Sequence, residues 1–167
     1  NESDMKLMPD LSRAYIDPFF AQPTVALFCD VLDPMTDDAY ERDPRGTAKA
    51  ALAHMNAAGF ADTAFFGPEA EFFIFEDVKI DVSMNRAMYQ VDSVEGPYNS
   101  ARSYEEGNTG HRPGVKGGYF PVPPIDSGQD IRSEMVSVMA DMGVPVEKHH
   151  HEVAPSQHEL GMKFGTL

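Results

Sequence analysis

The chain has 167 residues, 42% hydrophobic and 24% charged, an ordinary globular balance for one domain or part of a larger one. Its 27 acidic residues against 13 basic ones leave a formal charge of −14, which argues against nucleic acid and anionic membrane as partners and suits hard divalent cations. The one cysteine, Cys29, forms no intramolecular disulfide and points to a reducing, cytoplasmic compartment, and no apolar run is long enough for a membrane span.

The first residues, "NESDMKLMPD", read like the middle of a domain, and "MKFGTL" at the other end stops inside what looks like a strand. The expectation is a portion of a longer polypeptide. "TVALFCDVL" (24–32), β-branched and bounded by prolines, predicts a strand in which Cys29 is a small buried hydrophobe. "ERDPRGTAKAALAHMNAAGF" predicts a helix, with Asp43 as N-cap, Pro44 in the first turn and Gly59 at the C-terminal stop. "DTAFFGPEAEFFIFEDVKI" predicts two short strands hinged at Gly67-Pro68, and 88–94 predicts another. Residues 95–124 form a Gly/Pro-rich loop that mixes aromatic and basic residues into an acidic chain, a composition that predicts function rather than linkage. "DSGQDIRSEMVSVMADMG" predicts the second helix, opened by a capping-box-like pair, Ser127 and Asp130. Its Ile131, Met135, Val138, Met139 and Met142 recur at helical spacing and predict core packing. "PVEKHHHEV" and "HELGMKF" predict two strands joined by "APSQ".

The run "EKHHHEVAPSQHEL" invites a zinc reading, which its spacing opposes. "HEVAPSQH" is not H-E-x-x-H, and Pro155 forbids one helix through it. On a strand the three consecutive histidines alternate, so only His149 and His151 share a face. A hairpin with the loop 154–157 predicts Val153 opposite His158 and Glu152 opposite Glu159, with His150 and Lys148 on the Glu152 side. Two opposed carboxylates repel unless a cation lies between them. A second pair, Glu69 and Glu71 in "GPEAEFF", shares one strand face inside an apolar run. Four glutamates from two elements predict oxygen ligation of Mg2+ or Mn2+, and two clusters predict two metals, the arrangement that neutralises phosphates. A solvated glutamate face is the bland alternative.

"NESDMKLMPD", "FGPEAEFFIF", "GHRPGVKGGYFPVPPIDSGQDIRSEM" and "EKHHHEVAPSQHELGMKF", in this order through essentially the whole chain, resemble type I (bacterial) glutamine synthetase. The resemblance implies an α+β fold: the C-terminal part of a β-grasp domain at 1–43, then at 44–167 the first half of a catalytic domain with a curved antiparallel sheet. It implies ATP-dependent ligation of ammonia to L-glutamate, giving L-glutamine through γ-glutamyl phosphate, with two or more Mg2+ or Mn2+ ions per site. Glu71, Glu152 and Glu159 match the family's first metal site and Glu69 its second. Glu147 and the backbone near Phe164 match the nucleotide site. Tyr119 matches a tyrosine that lines the site near the metals and His150 a histidine beside the metal-bound phosphates, and the resemblance implies a dodecamer of two hexameric rings in which Asp4 acts at a neighbouring subunit's site. The family's ammonium-linked aspartate, second-metal histidine, flap glutamate and adenylylated tyrosine fall outside these 167 residues. A ligase for another amine, or a non-catalytic paralogue, is the alternative.

Overall fold

The computed structural model describes residues 4–98 and 112–167. Two compact units form: the chain up to Gly67 together with Phe164–Leu167, and Pro68–Lys163.

In the first unit β1 (Lys6–Ile16) and β2 (Val25–Leu32) pair antiparallel, with a register shift between Pro9 and Ala14. Cys29 is half-buried in β2 rather than enclosed. Helix α1 (Pro44–Ala58) starts where its local chemistry dictates. The Asp43 carboxylate accepts from the N–H groups of Arg45 and Gly46, Pro44 fills the first turn, and Gly59 ends the helix at φ 73°, a left-handed conformation that glycine adopts without steric cost. Arg45 on α1 reaches Asp10 and Asp30, and Lys49 also meets Asp30, so ion pairs hold the helix to the hairpin. Strand β3 (Phe65–Phe66) pairs with β9 (Gly165–Thr166), and the Phe65 ring stacks on Phe164 at 5.3 Å.

In the second unit β4 (Glu69–Phe73), β8 (Gln157–Met162) and β7 (Val146–His151) form one antiparallel sheet in the order β4-β8-β7. Strands β5 (Asp77–Ser83) and β6 (Arg86–Asp92) make a separate hairpin. Helix α2 (Gln129–Asp141) packs on β7 and, less extensively, on β8. The loop at 95–124 is described on both sides of residues 99–111, which lie outside the described residues.

Three expectations are corrected here. Helix α2 is not capped by Ser127 and Asp130: its N-cap is Gly128 with no side-chain bond, because the Ser127 hydroxyl donates to Glu95 instead. The apolar stripe of α2 is not a buried core, since Ile131 and Met135 are exposed, and the helix residue that is buried is Arg132. The β7–β8 register places His151 opposite His158 and His150 opposite Glu159, two positions from the predicted pairing. Among the described residues the buried apolar side chains are Leu160 and the prolines Pro113 and Pro155, whereas Arg132 and His151 are wholly buried and Ser93 nearly so. The interior of this unit is therefore polar, and hydrogen bonds must satisfy it.

Candidate metal centre

The ladder of the three-stranded sheet puts Glu71, Glu159 and His150 side by side in one row, and Glu69, Gly161 and Lys148 in the next. Directly paired residues share a face, as do residues two apart, so all six positions look the same way. The intervening residues, with Phe72, His158 and His151 in one row and Ala70, Leu160 and His149 in another, point to the opposite face. Helix α2 packs there, since the Arg132 guanidinium meets both His149 and His158. Of the histidine run, His150 alone turns to the glutamates.

The two-position shift in register preserves facing, because side chains alternate with period two. Glu152 is thus still delivered to the acidic face, just beyond the end of β7, where its N–H donates to the Gln157 carbonyl at 2.8 Å. One ligand atom each from His150, Glu152 and Glu159 lies within 4.8 Å of the others. His150 Nε2 is 3.5 Å from Glu159 Oε2, and His150 Nδ1 is 3.8 Å from Glu152 Oε1. Glu71, the neighbour of Glu159 in its row, accepts a 2.6 Å bond from Gln157 Nε2. Lys148 Nζ stands 3.4 Å from Glu69 and 3.6 Å from Glu159. Its methylene stem crosses Gly161, where a Cβ would lie 2.6 Å from Lys148 Cε, so that glycine gives the lysine its route over the strand.

Glu159 carries the strongest signal. It is 4% exposed, and its buried Oε1 has no hydrogen-bond partner. Burial, the adjacent Glu152 carboxyl and the negative Glu69 raise its pKa above the usual carboxylate range, against the opposing fields of His150 and Lys148. A buried carboxylate oxygen that accepts no hydrogen bond and meets only the Lys148 ammonium, at 3.6 Å, fits a divalent cation in this oxygen-rich cluster, which would satisfy that oxygen and relieve the carboxylate repulsion. Glu152 and Glu159 are the carboxylates best placed to hold it, with His150 beside both and Glu69 and Glu71 on the same face.

Of the other residues singled out by sequence, Glu147 sits at the β7 irregularity between Val146 and Lys148 and is exposed. Tyr119 is exposed, its ring edge-on to His150 at 5.8 Å, while the Phe120 ring stacks on His150 at 4.5 Å. Backbone bonds from Gly118 N–H to the Val153 carbonyl (3.0 Å) and from Phe120 N–H to the His151 carbonyl (3.3 Å) hold that segment beside the turn. Asp4 and Phe164 belong to the other unit, where both are exposed.

Sequence reasoning passed over Glu95, Ser156 and Gly161. Gly161 had a signal, a glycine inside a strand. Glu95 had only its position at the head of a long loop. It is 3% exposed, and its carboxylate accepts from His151 Nε2, Ser127 N–H, Ser127 Oγ and Ser156 N–H. Burial alone would push its pKa up, but these bonds outweigh burial and hold it down at about 2. His158, by contrast, is pushed down to about 4 by burial and by the Arg132 charge.

Known proteins resemble the chain along its whole length. Residues 1–34 match the family model of the glutamine synthetase β-grasp domain, and residues 41–167 that of the glutamine synthetase catalytic domain. Among curated relatives, the glutamine synthetase of Azospirillum brasilense is 66% identical and that of Rhizobium meliloti (strain 1021) 62% identical, each over 167 residues, and that of Salmonella typhimurium (strain LT2) 56% identical over 168. Each alignment covers 100% of this chain and 36% of the relative, so the chain spans about a third of those relatives' length. A solved structure, the glutamine synthetase of Plasmodium falciparum, superposes with a TM-score of 0.80 at 27% identity, covering 98% of this chain and 32% of that one. With both family models matched in order and an α+β fold shared with a solved member, the chain belongs to the glutamine synthetase family.

Proposed function

We propose that the full-length protein carrying this chain ligates ammonia to L-glutamate, forming L-glutamine at the expense of ATP. The observation that carries this is the buried Oε1 of Glu159, which accepts no hydrogen bond and has only the Lys148 ammonium 3.6 Å away, at the centre of an acidic sheet face, in a segment matched throughout by the family's catalytic domain. The terminal phosphoryl group of ATP passes to the side-chain carboxylate of glutamate, giving γ-glutamyl phosphate and ADP. Ammonia then attacks the acyl carbon and phosphate leaves. When bound, Mg2+ or Mn2+ ions neutralise the phosphate oxygens and hold the reacting groups in line.

The chain's own residues supply the cradle. Glu71, Glu152 and Glu159 hold one cation, and Glu69 contributes to a second. His150 faces the phosphates, kept in place by the Phe120 ring stacked on it. Tyr119 lines the same opening. Glu147 and the backbone near Phe164 belong to the nucleotide site, and Asp4 serves the site of a neighbouring subunit in a cytoplasmic dodecamer of two hexameric rings. The domain limits are 1–43 for the β-grasp part and 44–167 for the catalytic part.

The test is a Mn2+ titration and a glutamine-formation assay on the full-length protein and its Glu152→Ala variant. The variant should bind Mn2+ more weakly and lose activity. A Mn2+ titration indistinguishable from wild type would overturn the assignment.

A further inference from the structure

The turn that carries Glu152 is held from behind the sheet by residues that face away from the acidic cluster. His151 is wholly buried on the α2 face, and both its ring nitrogens meet acceptors: Nε2 lies 2.7 Å from Glu95 Oε2, and Nδ1 lies 2.6 Å from the Glu152 carbonyl oxygen. Both ring nitrogens are thus engaged, tying the ring to Glu95 on one side and to the Glu152 backbone on the other. At the far end of the same turn the Ser156 N–H donates to the same Glu95 oxygen at 2.6 Å. Ser156 holds a left-handed φ of 65°, a conformation that a serine keeps only when its surroundings over-determine it. Its hydroxyl also meets that of Ser93, whose Oγ accepts the Glu95 N–H. One carboxylate thus grips both ends of the segment between β7 and β8. Gly118 closes over the ring, with no room for a side chain: a Cβ there would lie 2.8 Å from His151 Cε1 and 3.0 Å from the Glu152 carbonyl.

We propose that Glu95 and His151 are positioning residues for the cation site, with the His151 ring, gripped between the Glu95 carboxylate and the Glu152 carbonyl, fixing the backbone from which the Glu152 carboxylate projects. This rests on the reading of Glu152 as a cation ligand. Neither residue reaches the acidic face, so neither touches the cation. They act through the peptide of Glu152, and through Ser156 on the turn that leads to Glu159. Outer partners of this kind commonly govern cation affinity by one or two orders of magnitude.

The test uses the full-length protein with Mn2+ as the probe, following both the free-ion EPR signal and the spectrum of the bound ion. Glu95→Gln keeps the shape of the side chain but removes its charge and one of the two acceptor oxygens that His151, Ser156 and Ser127 share. His151→Gln keeps a donor toward Glu95 but cannot reach the Glu152 carbonyl, and it carries the test if the first variant does not fold. Both should bind Mn2+ about tenfold or more weakly, with an altered bound-ion spectrum, at temperatures where circular dichroism shows them folded. Arg132→Met is the control for general loosening, because it strips the same polar interior without a bond to the turn. If it weakens Mn2+ binding as much as the two variants do, the role is merely structural and the inference falls. If Glu152→Gln loses Mn2+ while Glu95→Gln and His151→Gln keep wild-type affinity and spectrum, the inference falls and the cation site stands. If Glu152→Gln itself binds like wild type, the cation site falls, and the inference with it.

Discussion

Arg132→Met should be among the most destabilising single changes in the second unit, although the residue never approaches the acidic face. The guanidinium is wholly buried and paired with Asp126 through both terminal nitrogens, with one of these bonds at 2.9 Å. The same Nη1 donates to His158 Nδ1 at 2.8 Å, and Nε lies 3.3 Å from His149 Nδ1. Arginine can only donate, so His158 accepts with Nδ1 and is neutral, in keeping with its pKa of about 4. Methionine fills much of the volume but strands the Asp126 charge, 3% exposed, with the Gly128 N–H still donating to it. Breaking a buried ion pair from one side costs about 3–5 kcal/mol. Urea unfolding of the full-length protein, followed by hydrogen exchange of the β8 amides, measures it. The double variant Arg132→Met, Asp126→Leu should recover a large part of the loss, since an apolar replacement of both partners removes the stranded charge. A single variant within about 1 kcal/mol of wild type, or a double variant no better than the single, would refute the argument.

Gly128→Ala should also destabilise, by about 1–3 kcal/mol, because a Cβ there would lie 2.4 Å from His158 Cε1 and 2.9 Å from Arg132 Nη1; thermal unfolding reads the effect. Acid should weaken the fold through Glu95. Its pKa is lowered to about 2, so the stability it contributes is complete above its ordinary value of 4.5 and lost as pH falls through 2, an effect of about 3 kcal/mol that a pH series of unfolding free energies should show in wild type and not in Glu95→Gln. His151 works in the other direction: burial opposes its charge, but Glu95 outweighs burial and raises its pKa above 6.5, so its contribution is complete below 6.5 and fades as pH rises through the folded value. Tyr119→Ala should change the KM for glutamate or kcat, since the ring edges His150 at 5.8 Å; steady-state kinetics on the full-length protein decide this.

What could be read from the sequence was what neighbouring residues decide among themselves. Asp43, Pro44 and Gly59 fix both ends of α1 within a turn of where they act. The acidic face was legible because alternation is a local property of a strand: Glu69 with Glu71, and His150 with Lys148, keep their facing whatever the partner strand does. The β7–β8 register was not legible, because it depends on a positive φ at Ser156 that is supported by a carboxylate 61 residues earlier. The start of α2 failed for the same reason, with Ser127 drawn away by Glu95 across 32 residues. The methionine stripe misled because periodicity shows which residues share a face, not how closely that face is covered. In this unit the interior beneath α2 is built around Arg132, Asp126 and two histidines, with Leu160 beside them, rather than around the helix's own methionines.

The alternation along β7 constrains the length of the chain more tightly than its composition. A substitution at His149, His150 or His151 disturbs one face of the sheet. Deleting or inserting one residue among 148–151 would rotate the strand by half a turn and exchange the two faces, presenting His149 and His151 to the glutamates and His150 to Arg132. The cation cradle and the buried ion network would fail together. The irregularity between Val146 and Lys148 shows where an extra residue is already absorbed without inverting the rest of the strand. Related chains should therefore vary in length ahead of Lys148, or in the turn after Glu152, and keep an unbroken frame between.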